Sequence, residues 1–456
     1  MKAKKPPFRF PGAIHPHYHK DSTAALPLEV MPAPAVVAIP MSQHLGAPSK
    51  PIVAKGDVVG LGQPIAEPAA AVSAWAHASV SGVVKNITEG ISAGGKPTTV
   101  IEIENDGQDR LASNLTPGLD WQATEPKALI AIVASAGIVG MGGAGFPTHI
   151  KINPPPGKKV ETLILNGAEC EPFLTADQRL MVEQADAIWQ GIRILRHILG
   201  GPRIRVAIED NKPEAIRAME MALAQADGDV EIIALETAYP MGAEKQLVYS
   251  ILGREIPAGG LPSDVGALVE NVATAAAIHE AINLGRPLTQ RVVTVTGPLI
   301  KRPANLLARI GTKFTDLIAH CGGFTGDAGK LICGGPMMGV AQVSADVPVG
   351  KTTSGILALP RQSVALYENS PCISCNRCVR ACPMSLLPCT LTMAVEADQI
   401  PTVDRLNVLD CIECGCCAFV CPARRPMVQL LRQGKARVQL ARRQEQERQK
   451  AQGKQG

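Results

Sequence analysis

Eight cysteines near the end of the chain constrain its fold more than any other feature. Cys372, Cys375, Cys378 and Cys382 are spaced C-x2-C-x2-C-x3-C and followed by Pro383; Cys411, Cys414, Cys417 and Cys421 repeat that spacing and are followed by Pro422. Three cysteines separated by two residues let one tight loop wrap a cuboidal cluster with three thiolates, and in paired motifs of this kind the fourth thiolate arrives from the other half. The spacing therefore predicts two [4Fe-4S] clusters. Cys372, Cys375, Cys378 and Cys421 hold one; Cys411, Cys414, Cys417 and Cys382 hold the other. The crossing ties both repeats into one pseudo-symmetric unit and sets the clusters close together for electron hopping. Structural zinc sites usually pair two cysteines with two distant ligands, which does not account for two four-cysteine runs that each end in Cys-Pro. Cys389 and Cys416 are extra, and Cys416 reads as a packing residue. Cys170, Cys321 and Cys333 read as small buried hydrophobes.

The remaining composition narrows the class. Thirteen cysteines in 456 residues do not make a secreted disulfide scaffold, which needs a small domain, an export signal and cysteines spread along it. Residues 1–10 are basic, but charges and prolines follow where a signal peptide requires an apolar core. The chain is expected to carry no signal peptide and to stay in the reducing cytoplasm. At 46% hydrophobic it suits several domains, since single cores stop growing at roughly 250–300 residues. Only 3% of residues are aromatic and the formal charge is +4, so nothing favours nucleic acid as a partner. Gly (43) and Pro (37) are plentiful, which favours turns and close approach of backbone to ligands. Residues 128–146 are uncharged and nearly as long as the roughly 20 residues a bilayer demands. Their second half, GMGGAGF, is too glycine-rich for a lipid-facing helix. The expectation is no transmembrane segment, but a buried helix over 128–138 leading into a glycine loop.

Along the chain, short apolar runs broken by Gly and Pro (VVAIP, PIVAKGDVVGLGQPIAEP, SVSGVVKNI, then TTVIEIEN) mark a small all-β module. KGDVVGLGQPIAEP followed by HASVSGVV is similar to the barrel-sandwich pattern of biotinyl and lipoyl carrier domains. Those carriers modify a lysine on an exposed hairpin turn. The corresponding AWAHASVSG has none, so the shape is expected without the carrier chemistry. From Glu125 to about Ala281, helical patterns alternate with β runs such as VETLILN and RIRVAIED, the signature of an α/β layer. From Arg286, RVVTVTG, a short helix over 312–319 and KLICGGPMMGV predict a compact β-rich insert. The cysteine motifs begin after Gln362, and 434–456 is dominated by Arg, Lys and Gln, which cannot build a core. The reading is a multidomain α/β protein with ranges 1–120, 121–283, 284–345 and 362–432. A basic tail over 433–456, frayed or helical and taken as disordered, ends it.

Gly140, Gly142 and Gly145 fit G-x-G-x-x-G. Here a helix rather than a strand precedes the pattern and Pro147 follows closely, unlike a standard dinucleotide fold. Glycines let backbone approach a phosphate or flat ring, and Lys151 can add positive charge; a tight interdomain turn explains the motif equally well. A resemblance carried by GMGGAGFPTHIK, NGAECEPFLTADQRL, YPMGAEKQLVYSILGREIP and VENVATAAAIHEAI, in that order, bears on the choice. These segments resemble the NADH-oxidising flavin subunit of respiratory complex I and, more closely, the C subunit of the Rnf/Rsx electron transport complex. The latter likeness runs from FPGAIHPHYHK through CIECGCCAFVCP.

The resemblance implies a Rossmann-like FMN and NAD(H) domain over 121–283, a soluble-ligand-binding β-grasp insert over 284–345 and a ferredoxin-type helical domain over 362–432. It assigns Gly140, Gly142, Gly143, Gly145, Lys151, Asn166, Glu169 and Glu171 to flavin and nicotinamide, with Tyr239, Gly242, Glu244 and Asn271 from later motifs. Ala168 and Ala243 depart from complex I, which has Asp and Glu there, and ARRP after Cys421 is unusually basic for the Rnf-like pattern. No residue is expected to act as a dominant catalytic acid or base. The resemblance implies a peripheral oxidoreductase and translocase subunit on the cytoplasmic face of the inner membrane. Its partners would be the other subunits of an ion-transporting complex, with ferredoxin or a redox-sensing regulator as eventual acceptor or donor. Arg437, Arg442, Arg443 and Lys450 would let the tail reach anionic lipid or a partner. Two rival readings are a soluble diaphorase-type subunit and a non-catalytic iron-sulfur scaffold.

Overall fold

In the computed structural model, which describes residues 2–113, 115, 118–364 and 370–452, the chain divides into two units. The first holds Met1–Pro6, His17–Thr237 and Pro262–Val364; the second holds Pro7–Pro16, Ala238–Leu261 and Ala365–Gly456. Among the described residues no helix is long and apolar enough to cross a membrane.

In the first unit, the expected all-β module forms two small sheets. One orders Val36–Pro40, Pro97–Asn105, Gly82–Ile91 and Val58–Val59; the other orders Lys50–Pro51, Pro64–Glu67 and Ala76–His77. Val37, Ile39, Ile65, Ile101 and Ile103 are fully buried between them.

The α/β layer is a four-stranded parallel sheet in the order Val230–Leu235, Arg203–Glu209, Thr162–Gly167, Ala267–Asn271. Thr162–Gly167 lies inside the sheet and is almost wholly buried, which is why its run TLIL does not alternate. The helix Ala185–Ile198 buries Ile188, Ile192 and Leu195 along one stripe. It meets the helix Val272–Leu284 closely enough that a Cβ on Gly191 would lie 1.8 Å from the Ala275 carbonyl oxygen. Asn271 caps Val272–Leu284 by accepting from the Ala273 N–H, and Gly285 ends that helix at φ 65°.

The β-rich insert is a six-stranded mixed sheet in the order Leu28–Val30, Ala304–Arg309, Gln290–Thr296, Gly355–Pro360, Ala328–Cys333, Val340–Gln342. The expected helix is present as Phe314–His320, its Phe314 and Leu317 fully buried in the core. Two strands lie outside the range 284–345 read from the sequence. Gly355–Pro360 runs parallel to Gln290–Thr296 and antiparallel to Ala328–Cys333, so it is central, and Leu28–Val30 adds an edge.

In the second unit Ala238–Leu261 packs with the cysteine-bearing stretch: Tyr239 is fully buried with its hydroxyl donating to the Cys414 carbonyl at 2.8 Å, and Gln246 donates to the Pro383 carbonyl. Of the two readings of the basic tail, frayed or helical, the structure has the helical one, from Met427 to Gln452. Leu431 and Val438 are buried with Leu391, Val395, Val403 and Val408, and Gly434 gives Val395 room. Arg437 pairs with Asp398 and Arg442 with Asp404, so these cations are engaged within their own unit. The same polar composition that forbids a core permits a helix laid on one.

Replacing Gly191 with Ala is expected to destabilise the first unit by about 1–3 kcal/mol, the usual effect of overpacking. Gly94, whose Cβ would meet only the Ser92 hydroxyl at 3.7 Å, serves as the control. A lower unfolding midpoint for Gly191→Ala than for Gly94→Ala checks this.

Candidate functional site

The parallel sheet reverses its order of winding next to Thr162–Gly167. The following strands Arg203–Glu209 and Val230–Leu235 build outward on one side, and Ala267–Asn271 returns on the other. Open α/β sheets bind ligands in the crevice beyond the carboxyl ends of strands at such a point. Here those ends carry Asn166 and Asn271, in register as neighbours.

The glycine loop lies against this crevice. Its ends are joined by the Gly140 N–H donating to the Phe146 carbonyl at 2.8 Å, and the Met141 N–H donates to the Thr274 hydroxyl at 3.0 Å. A Cβ on Gly142 would lie 3.2 Å from Asn271 Cβ, and one on Gly145, at φ 67°, would lie 2.7 Å from Thr352 Cγ2. Gly143 has φ 134° and no atom within 4 Å of where a Cβ would stand. Gly142 and Gly143 are exposed. An open, left-handed stretch beside two strand-end amides fits a flat ring or phosphate laid on bare backbone. Lys151 ends the helix Thr148–Lys151, in which the Thr148 hydroxyl and His149 Nδ1 are buried without a hydrogen-bond partner.

The carboxylates of the acidic loop are engaged by backbone N–H groups. Both Glu169 oxygens accept backbone N–H groups, from Asp177 at 2.8 Å and Gln178 at 3.1 Å, capping the helix Ala176–Glu183. Glu171 accepts the Met337 and Met338 N–H groups at 3.1 and 2.7 Å. The buried Lys20 ammonium donates to the carbonyls of Glu169 at 2.8 Å, Glu171 at 2.9 Å and Leu174. Burial pulls its pKa down to about 8. Asn166 Oδ1 accepts from the Ala168 N–H, and Asn271 Nδ2 donates to Asp177 Oδ2 at 2.6 Å.

Asp177 is the residue the sequence reading missed. Burial, and then the Glu169 carboxylate, push its carboxyl up to about 7, against the pull of Asn271, Arg291 and Lys20. The residue keeps some exposure, but its carboxyl is turned onto Asn271. Its only signal in the sequence is a third acid soon after the two of NGAECEP.

Tyr239, Gly242 and Glu244 belong to the second unit. So do the ten cysteines from Cys372 onward, which line two cavities. Cys382 joins Cys411, Cys414 and Cys417 around one, and Cys421 joins Cys372, Cys375 and Cys378 around the other. Cys416 lines the first as well, and Cys389 the second. The repeats share an unusual backbone, with left-handed residues at Ser374 and Glu413, Asn376 and Gly415, Ser385 and Arg424. The Ser374 and Glu413 N–H groups each donate to the preceding cysteine sulfur at 3.4 Å. Burial pushes the Cys378 and Cys411 thiols up to about 11, and a thiolate there needs positive charge such as iron beside it. Cys170 and Cys321 are buried and Cys333 half-buried, in keeping with their reading as apolar groups.

The Asp177 carboxyl makes a pH-dependent contribution to stability. Its folded pKa is raised from 3.8 to about 7, so the folded state holds the proton more tightly. The contribution is complete below 3.8 and is lost as pH rises through about 7. Asp177→Asn keeps an acceptor for Asn271. Its stability relative to the parent should climb across that window and level off above it; parallel pH curves of the unfolding midpoint would show the assignment wrong.

Family profiles match three stretches: residues 8–108 match the RnfC barrel sandwich hybrid domain, 133–280 the Nuo51 FMN-binding domain and 292–341 the SLBB domain. The C subunit of the proton-translocating ferredoxin:NAD(+) oxidoreductase complex of Clostridium ljungdahlii is 46% identical over 93% of this chain and 92% of its own. The C subunit of the Na(+)-translocating ferredoxin:NAD(+) oxidoreductase complex of Acetobacterium woodii is 45% identical over 94% of this chain and 97% of its own. A solved NAD+-reducing [NiFe]-hydrogenase in the H2-reduced state covers 70% of this chain and 64% of its own at 20% identity and a TM-score of 0.49, too slight a likeness to argue from. Identity at that level across nearly the whole of both relatives and of this chain, with the barrel-sandwich profile at its start, places the chain in the RnfC family, the C subunits of ion-translocating oxidoreductase complexes.

Proposed function

We propose that this chain is the peripheral electron-input subunit of an ion-translocating complex, passing electrons between NAD(H) and ferredoxin through FMN and two [4Fe-4S] clusters. The observation that carries the reading is the crossed lining of the two cysteine cavities, in which each takes its fourth cysteine from the other repeat. That is the arrangement of two-cluster ferredoxins, and the Nuo51 FMN-binding profile over 133–280 supplies the other half. The relatives' names support the substrates and the complex.

A bound flavin supplies the exchange between a two-electron hydride donor and one-electron carriers. The chain's own contribution is placement. Gly140, Gly142, Gly143 and Gly145 offer bare backbone, Asn166 and Asn271 offer amides at the strand ends, and Lys151 adds positive charge nearby in sequence. Glu169 and Glu171 act through the loop they brace, since backbone N–H groups occupy their carboxylates. For Tyr239, Gly242 and Glu244 the assignment to flavin or nicotinamide rests on resemblance alone. In the second unit, Leu386, Leu391 and Leu431 keep water from the first cavity, and cysteine thiolates hold the clusters. Docking on the cytoplasmic face, and a redox-sensing regulator as an alternative acceptor, belong to the same proposal.

Anaerobic purification with iron, sulfide and flavin quantified together, followed by NADH bleaching of the flavin band, tests both halves. Colourless protein, or protein with zinc alone, overturns the cluster assignment, and clusters without flavin overturn the NAD(H) site. The crossing makes a sharper prediction. Cys382→Ala and Cys414→Ala should deplete the same reduced-cluster EPR signal, and Cys421→Ala and Cys375→Ala the other. Pairing of Cys382 with Cys375 instead would refute the crossed set.

A further inference from the structure

The two cysteine cavities can be compared position by position, because the repeats correspond in order: Cys372 with Cys411, Cys375 with Cys414, Cys378 with Cys417 and Cys382 with Cys421. The residues after the fourth cysteine correspond as well. Pro383 and Pro388 of the first cavity stand where Pro422 and Met427 line the second. Against that matched background three pairs change character. Leu386 lines the first cavity and its counterpart Arg425 lines the second; Val428 lines the first and its counterpart Cys389 the second; Gly415 lines the first and its counterpart Asn376 the second. A further difference has the opposite sign to Arg425, since Glu413 lines the first cavity.

Arg425 is only 5% exposed. One end of its guanidinium is bound by the Glu396 carboxylate, while its Nε is buried and has no hydrogen-bond partner. A buried N–H donor without an acceptor points to an acceptor that occupies the cavity when it is filled. We propose that Arg425 donates its Nε–H to a sulfur of the cluster held by Cys372, Cys375, Cys378 and Cys421, and so makes that cluster easier to reduce than it would be without the guanidinium.

The inference rests on the cluster assignment above. Reduction adds one negative charge to a cluster. Net charge nearby and hydrogen bonds to the sulfurs are the protein's main means of setting its potential. A buried guanidinium with a free donor stabilises the reduced form in the second cavity. The first cavity has an apolar Leu386 at that position and a carboxylate, Glu413, in its wall. Lys435 and Arg432 both pair with Glu413, two cations to one carboxylate, so what sets the second cavity apart is the buried, unpartnered Nε–H of Arg425 rather than its net charge.

The test is an EPR-monitored redox titration of the anaerobically purified full chain, with the relevant cluster identified as the signal lost in Cys375→Ala. Arg425→Gln should lower the midpoint potential of that cluster and leave the other in place, and Arg425→Lys, which keeps the charge, should lower it less. Glu396→Gln should raise the potential of the same cluster, because it removes the carboxylate that offsets the guanidinium. A merely structural Arg425 gives no such opposed pair. Unchanged potentials, or equal shifts in both clusters, overturn the inference. If Arg425→Gln sheds the cluster, Glu396→Gln decides alone: a raised potential supports the proposal and an unmoved one refutes it. Absence of both clusters from the parent protein would instead refute the assignment on which the inference is built.

Discussion

A single buried ammonium fixes the shape of the crevice. Lys20 takes three main-chain carbonyls from one short loop, and that loop carries Glu169 to the start of the helix Ala176–Glu183. The helix carries Asp177 to Asn271, and Asn271 stands against Gly142. Each contact depends on the one before it. Removing one partner from a buried charged group typically costs about 3–5 kcal/mol, so the loop has no cheap alternative arrangement.

The same device recurs nearby. Lys351, almost fully buried, donates to the carbonyls of Trp75 and Gly137, just before the glycine loop, and burial pulls its pKa down to about 7. Arg291, also buried, donates to the Lys351 carbonyl. In a chain with few aromatic rings, irregular backbone around the crevice is held by cations that satisfy its carbonyls, as buried polar backbone requires. Carboxylates such as Glu169 and Asp177 are tolerated there because these cations lie among them.

The cysteine spacing, the small β module and the α/β layer were legible because each is a local pattern: thiolates at fixed intervals, apolar alternation, helix and strand periods in turn. The crevice itself was not, since a reversal of strand order is a property of the whole sheet. Nothing in the residue types at Glu169 and Glu171 marks the backbone N–H groups that their carboxylates accept. Gly355–Pro360 is short and far from its partners in sequence, so nothing local marks it as a central strand. The contacts of Gln246, of Tyr239 and of the helix from Met427 to Gln452 were not legible for a related reason. Their partners are chosen by tertiary contact, and composition does not encode that choice.

The cysteine-bearing unit is assembled from three separate stretches, Pro7–Pro16, Ala238–Leu261 and everything after Val364. Pro7–Pro16 and Ala238–Leu261 thus wait for the much later cysteine motifs before their unit is complete. Contacts this remote in sequence form late in folding. A fragment cut at Val364 would leave behind two of the three pieces that its cysteines are built among.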